Sequence, residues 1–301
     1  MTAFTPDHGA PGILAFPQFG PFGLALHANR LQDVITKMHS DNKYSKMVLY
    51  VEACESGSMF NKILAGNLNV YAVTASSPFE SSWACYQDKY ANTYIGDCFS
   101  NHWMENSDSS DWASQTLQAQ FNAVHDATNT STVCAYGDTS IATMTLSQFF
   151  GVSGSSRPLA PHRLSALSEP VSSRDVPIKI LQRKVEMALT SSDAALAQAQ
   201  LDAELAARAI VDQRFTVIAS VLTAGDASAA AQLLAPAPRG SSCTDPSAVS
   251  DFACAEHAFN AYAFTCGGFT DYSLKYFKVL RSACASAQMA SRINAALKKA
   301  C

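Results

Sequence analysis

The chain carries few charges and no run of them. Only 15% of its 301 residues are Asp, Glu, Lys or Arg, and the formal net charge is −4. Without a basic block there is no electrostatic footprint for nucleic acid, and so mild an acidity says little about other partners. No stretch of about 18 apolar residues runs free of charge, so no membrane span is expected. The start, Met1-Thr2-Ala3-Phe4, has neither a positive n-region nor a long apolar h-region and does not read as a signal peptide. There is no Cys-x-x-Cys and no pair of histidines spaced as ligands, so no metal or other cofactor is expected.

Cysteine is not scarce. Of nine, five (Cys243, Cys254, Cys266, Cys284 and Cys301) fall in the last sixty residues, a density that suits disulfides formed in an oxidising compartment. Secretory-type cysteines without a signal segment lead to the expectation that the N-terminus is missing. With 48% hydrophobic residues, the chain can bury one good core and a second, smaller one.

The first 150 residues alternate strand-like and helix-like patterns, the mark of an α/β fold with a mostly parallel sheet. Met47 to Val51 is a continuous apolar run, as expected of a strand covered on both faces, and Asn69 to Ala75 is the next strand. Ala28 to His39 predicts a helix with Leu31, Val34, Ile35 and Met38 on one face, and Thr116 to Asn129 predicts another. Residues 151–175, rich in Ser, Gly and Pro, read as a linker. Beyond it, 176–301 reads as all-α. Pro177 sits near a helix start capped by Asp175, and Ile178, Leu181, Val185 and Leu189 follow at helical spacing. A long Ala-rich helix from Asp193 to Thr223 is ended by Gly225, and three more helices are expected over 247–264, 272–283 and 286–299.

Two short motifs carry chemistry. The Met47–Val51 strand runs into Glu52-Ala53-Cys54-Glu55-Ser56-Gly57-Ser58, and Asp7-His8-Gly9-Ala10-Pro11-Gly12 closes an earlier apolar run. A thiol and an imidazole at the C-terminal ends of neighbouring parallel strands would share one sheet edge, where open α/β folds place their sites. A thiol is a weak nucleophile until it becomes a thiolate, and an adjacent imidazole brings that about.

These motifs, followed by Glu80-Ser81-Ser82-Trp83-Ala84-Cys85-Tyr86, Tyr94-Ile95-Gly96-Asp97, Asn101-His102-Trp103-Met104-Glu105 and Asn129-Thr130-Ser131, resemble the legumains. That family, also called asparaginyl endopeptidases or vacuolar processing enzymes, belongs to the caspase-like cysteine peptidases. The likeness resumes at Asp175-Val176-Pro177-Ile178 and in the C-terminal cysteine spacing. It implies a partial caspase-like sheet with flanking helices, followed by an all-α prodomain. It also implies a lysosomal or vacuolar zymogen that cleaves after Asn, and after Asp at acid pH. Its partners would be peptide and protein substrates with exposed Asn, and its own prodomain acting as intramolecular inhibitor until acid loosens interface ion pairs.

Residue by residue, the resemblance makes Cys54 the nucleophile and His8 the general acid/base, with the N–H groups of Gly9 and Cys54 as oxyanion donors. Glu52 and Asp97 match acidic residues that grip the Asn side chain, and Ser81 and Ser82 match residues lining the substrate channel. Asp7 matches an aspartate linked to a ligase side activity. Asn129 matches a glycosylation site. Asp193, expected in an open loop, is the candidate self-cleavage site. The resemblance also pairs Cys254 with Cys284 and Cys266 with Cys301, each loop worth on the order of 3–4 kcal/mol. It leaves Cys85 free, Cys98 and Cys134 without counterparts, and Cys243 left over. About a hundred family residues that precede the His-Gly motif, including a pocket Arg, have no counterpart here. Met1 is therefore expected to mark a truncated gene model, and the chain alone to be inactive. A second reading is a silent protein whose helical prodomain inhibits related peptidases. A third, the GPI-anchor transamidase, is disfavoured by the Cys-rich helical end.

Overall fold

The computed structural model describes residues 1–16, 24–88, 90–151, 169–236, 242–244 and 251–301. Most of the 151–175 linker therefore lies outside the described residues. The chain opens with four strands, β1 (Thr2–Pro6), β2 (His8–Ala10), β3 (Ile13–Phe16) and β4 (Leu24–His27), then helix α1 (Ala28–Ser40). Strands β5 (Met47–Glu52), β6 (Val70–Thr74), β7 (Trp83–Asp88) and β8 (Thr93–Asp97) follow. Next come helices α2 (Cys98–Ser109) and α3 (Leu117–Ala127), strand β9 (Cys134–Gly137) and the short helix α4 (Ser147–Phe150).

The main sheet has the order β1-β5-β6-β9, with β1 and β6 both parallel to β5 and with β9 antiparallel. Every residue of β5 and β6 is buried, as the continuous apolar run predicts for strands covered on both faces. Alternation then sorts the side chains. Met47, Leu49 and Val51 pack with Ile35 and Phe60 on one face, while Val48 and Tyr50 pack with Phe99, Leu117 and Val124 on the other. On α1 the buried face is Ile35 flanked by Leu31 and Met38, whereas Val34 is 53% exposed and stands off the predicted stripe. Pro6 is tolerated in β1 because Asp7 N–H donates to Glu52 O, so alternation turns the Pro6 nitrogen away from β5.

Two smaller sheets flank this one: a β2-β3-β4 meander and the β10-β7-β8 ribbon, with β10 (Val171–Ser172) supplied from the far end of the predicted linker. The rest is helical: α5 (Val176–Glu186), α6 (Ser191–Leu222), α7 (Ala227–Leu234), α8 (Phe252–Cys266), α9 (Phe277–Ala283), α10 (Ala287–Ala290) and α11 (Ile293–Ala300). The last two predicted helices are each broken, since 272–276 begins as a tighter turn and 291–292 interrupts the terminal one. Leu189 lies past the end of α5 and is 97% exposed, outside the helical face assigned to it. Helix α6 stops where Ala224 and Gly225 turn to positive φ and Gly225 N–H reaches back to Ser220 O. No helix among the described residues is long and apolar enough to cross a membrane.

The helical part has its own core, built on Phe215, Tyr262, Phe269 and Phe277. Ala10 and Ile13 of the meander belong to the same cluster, so the hairpin that carries His8 is seated in the helical core. Phe215 is fully buried and stacks on Tyr262 and Tyr276 at 5.2 and 4.7 Å. Phe215→Ala should therefore lose about 3–5 kcal/mol of stability, read as a lowered urea midpoint with unchanged slope.

Candidate active site

Because β1 and β5 are adjacent and parallel, the residues just past their C-terminal ends emerge side by side. Those residues are His8 and Cys54. Their closeness is fixed at the backbone: a Cβ added to Gly9 would lie 2.2 Å from Cys54 O, so only glycine fits there. Cys54 is 1% exposed, and its Sγ lies 3.5 Å from Ser82 Oγ, which in turn is 3.0 Å from Ser173 Oγ. The imidazole is turned to a different partner, with Nε2 3.4 Å from the Asp271 carboxylate on the loop after α8.

After Cys54 the chain turns sharply, Glu55 taking a left-handed φ of 50°. This aims the Glu55 carboxylate at Arg174, which grips it with two bonds of 3.0 and 2.6 Å. Arg174 also donates to Gly9 O at 2.9 Å and to Ser81 Oγ at 3.0 Å. Both partners are nearly sealed from solvent. Burial pushes Glu55 up, opposed first by the Arg174 charge and bonds and then by Lys278.

A cavity of about 540 Å³ opens beside His8, bounded by Ser82, Asp97, Asn101, Ser173 and Asp271. Asp97 heads α2 but its side chain caps no helix N–H. Burial raises its pKa to about 6, against the opposing charge of His8 and a hydrogen bond from Ser173. Glu52, behind it, is 1% exposed and accepts from Ser100 N–H and Oγ–H at 2.7 Å each, both through Oε2. Burial, then the Asp97 charge, push Glu52 well above the ordinary carboxylate range, with the Ser100 bonds pulling the other way. Glu52 Oε1 and Asn101 Nδ2 are buried with no hydrogen-bond partner among the described residues.

Ser81 stands at the Arg174 side, also accepting from Ser172 Oγ at 3.1 Å. Asp7 accepts from His8 N–H at 2.7 Å, and burial raises its pKa. Asn129 is exposed just after α3, remote from this cavity's lining. Asp193 is not in a loop. It lies in the first turn of α6, its N–H bonded to Thr190 Oγ1 and its carboxylate accepting from the same hydroxyl. The open connection before it is residues 187–190.

Cys254 pairs with Cys284 and Cys266 with Cys301, at Cα separations of 5.7 and 5.2 Å. The expectation of a free Cys85 is corrected, for Cys85 pairs with Cys98, and the leftover Cys243 pairs with Cys134. Cys54 alone is unpaired. Sequence reasoning missed Arg174, Ser173, Asn101 and Asp271. The one available signal was that Arg174 is the sole basic residue between Arg163 and Lys179, within a segment read as linker.

Residues 1–156 match the family model described as Peptidase C13 family, and residues 199–301 match that of the legumain prodomain. The chain is 37% identical to legumain from Pongo abelii over 99% of its own length and 66% of that protein. It is 38% identical to legumain from Homo sapiens, and 34% identical to the vacuolar-processing enzyme delta-isozyme from Arabidopsis thaliana. Each of these alignments covers 98% of this chain and 65% of the relative. The chain thus spans about two thirds of the length of these curated relatives.

Removing one partner of the Glu55–Arg174 pair leaves a buried charge uncompensated. Arg174→Ala should lower stability at pH 7 by about 3–5 kcal/mol in urea unfolding, and Glu55→Gln in the same chain should restore much of it.

Proposed function

Because the chain belongs to the peptidase C13 family, the legumain family, we propose that it carries the Cys–His machinery of a cysteine endopeptidase zymogen that cleaves after Asn. The observation that supports this most is the emergence of Cys54 and His8 from adjacent parallel strands beside a cavity backed by two carboxyl groups of raised pKa. Cys54 Sγ attacks the scissile carbonyl as His8 takes the thiol proton, and His8 then protonates the leaving amine. The N–H groups of Gly9 and Cys54 stabilise the oxyanion, each worth about 2.7–4 kcal/mol by analogy with other oxyanion holes. Water then hydrolyses the thioester. An Asn side chain both donates and accepts, and Glu52 Oε1 and Asn101 Nδ2 are an acceptor and a donor without partners among the described residues.

In the arrangement described here the machinery is closed. Asp271 holds the imidazole, while Ser173 and Arg174 cover the thiol side, consistent with the helical part serving as inhibitor. Glu52, Glu55 and Asp97 have pKa values raised by burial, so the closed fold gains stability as pH falls through them and loses it as pH rises. The family and four disulfides support passage through an oxidising compartment to a lysosome or vacuole.

The test is turnover of peptides bearing Asn, Asp or Ala before the scissile bond, by the chain alone and with its upstream coding sequence. Cleavage should favour Asn and fall at least a thousandfold in Cys54→Ala. Equal cleavage after Ala, or activity that survives Cys54→Ala, would sink the reading. A chain that never turns over but inhibits a related peptidase would support the silent alternative.

The pocket carboxyls add a pH signature. A substrate Asp is accepted when the pocket supplies a proton to be shared, so Asp relative to Asn cleavage should rise as pH falls through about 6, the Asp97 value. Asp97→Asn should flatten that ratio, measured from kcat/KM between pH 4.5 and 7.5.

A further inference from the structure

Cys134 is the first residue of β9, the strand at the far edge of the main sheet from β1, and is fully buried. Cys243 lies between α7 and α8, well inside the helical part. Their Cα atoms are 5.5 Å apart across 109 residues of chain. Tyr136 Oη supports the same junction by donating to Cys243 O at 2.8 Å.

All nine cysteines are accounted for, and only this bond crosses between the two parts. Cys85–Cys98 lies within the first part, and Cys254–Cys284 and Cys266–Cys301 lie within the second. Any cut between residues 151 and 242 therefore severs the backbone and leaves the helical part covalently attached. A tether of this kind holds the cut piece at an effective concentration in the millimolar range, so rebinding over Cys54 outpaces escape.

We propose that Cys134–Cys243 is a thiol-exchangeable latch, so that release of the helical part requires reduction of this bond as well as proteolysis. The reductant it takes is a small or protein thiol. Cys243 is only partly buried and is flanked by the exposed Ser242 and Thr244, whereas Cys134 is sealed. An incoming thiolate therefore attacks Cys243 Sγ. A new S–S bond forms there, the Cys134–Cys243 bond breaks, and Cys134 leaves as a thiolate that takes a proton from water. A second thiol resolves the mixed disulfide. Two thiols are oxidised to one disulfide, and the protein bond is reduced to two thiols. The closing pairs His8–Asp271 and Glu55–Arg174 are non-covalent and let go once the tether is gone.

The test uses the full chain with a specific protease site inserted after Gly151, cut and then resolved on gels with and without reductant. The latch requires one band at the uncut mass without reductant and two bands with it. Two bands without reductant overturn it. Alkylation of Cys54, which needs no turnover and is independent of the peptidase reading, reports departure of the helical part. After cutting, Cys134→Ser/Cys243→Ser should expose Cys54 at least tenfold faster than the unreduced parent, and a phosphine reductant should bring the parent to the same rate. Equal rates in the cut parent and the double variant, fast or slow, would show that the bond does not govern release.

Discussion

The closed arrangement depends on one buried ion pair. Glu55 follows Cys54 and Arg174 arrives from more than a hundred residues later, yet they meet in a site where both are nearly sealed from solvent. Burying two charges is expensive, and their attraction offsets that only when the remaining hydrogen-bonding groups are satisfied. Here the guanidinium makes four bonds to three residues, two to Glu55, one to Gly9 O and one to Ser81 Oγ, and only its Nε lacks a partner among the described residues. Three of the four thus bind groups within two residues of Cys54 or His8, so ordering this one side chain orders the thiol, the imidazole strand and the segment covering them.

The pair also explains two local conformations. Glu55 accepts a left-handed φ because that turn directs its carboxylate to Arg174 and lets its carbonyl accept from Ser58 Oγ at 2.5 Å. Ser58 Oγ in turn receives Gly12 N–H at 2.6 Å, which ties the loop after β2 to the turn after β5. The left-handed conformation at Glu55 is held in place by this ring of bonds.

Local pattern carried β5, β6 and most helices, because burial on both faces of these strands leaves an unbroken apolar run and because caps and glycines mark helix ends, whereas the short strands of the meander, the ribbon and β9 were not read. For the same reason it put Glu52 at the end of β5 with Cys54 just past it. Arg174 was illegible because its role arises from pairing over long range, and a Ser-rich stretch gives no periodicity to read. The Cys85–Cys98 and Cys134–Cys243 bonds were missed since spacing alone does not determine pairing. Asp193 was misplaced into a loop because Thr190 already caps the helix, starting α6 at Ser191, two residues earlier than the Ala-rich run suggests.

The meander's share in the helical core has a further consequence for the lifetime of the opened molecule. Ala10 and Ile13 are sealed by residues around Phe259, Phe269 and Leu280. Parting the two halves would leave matching apolar scars, one on each piece, and such patches invite self-association. The scar on the first half sits on the very hairpin that bears His8. An opened molecule would thus be perishable by construction, its lifetime limited by how soon another scar finds that surface.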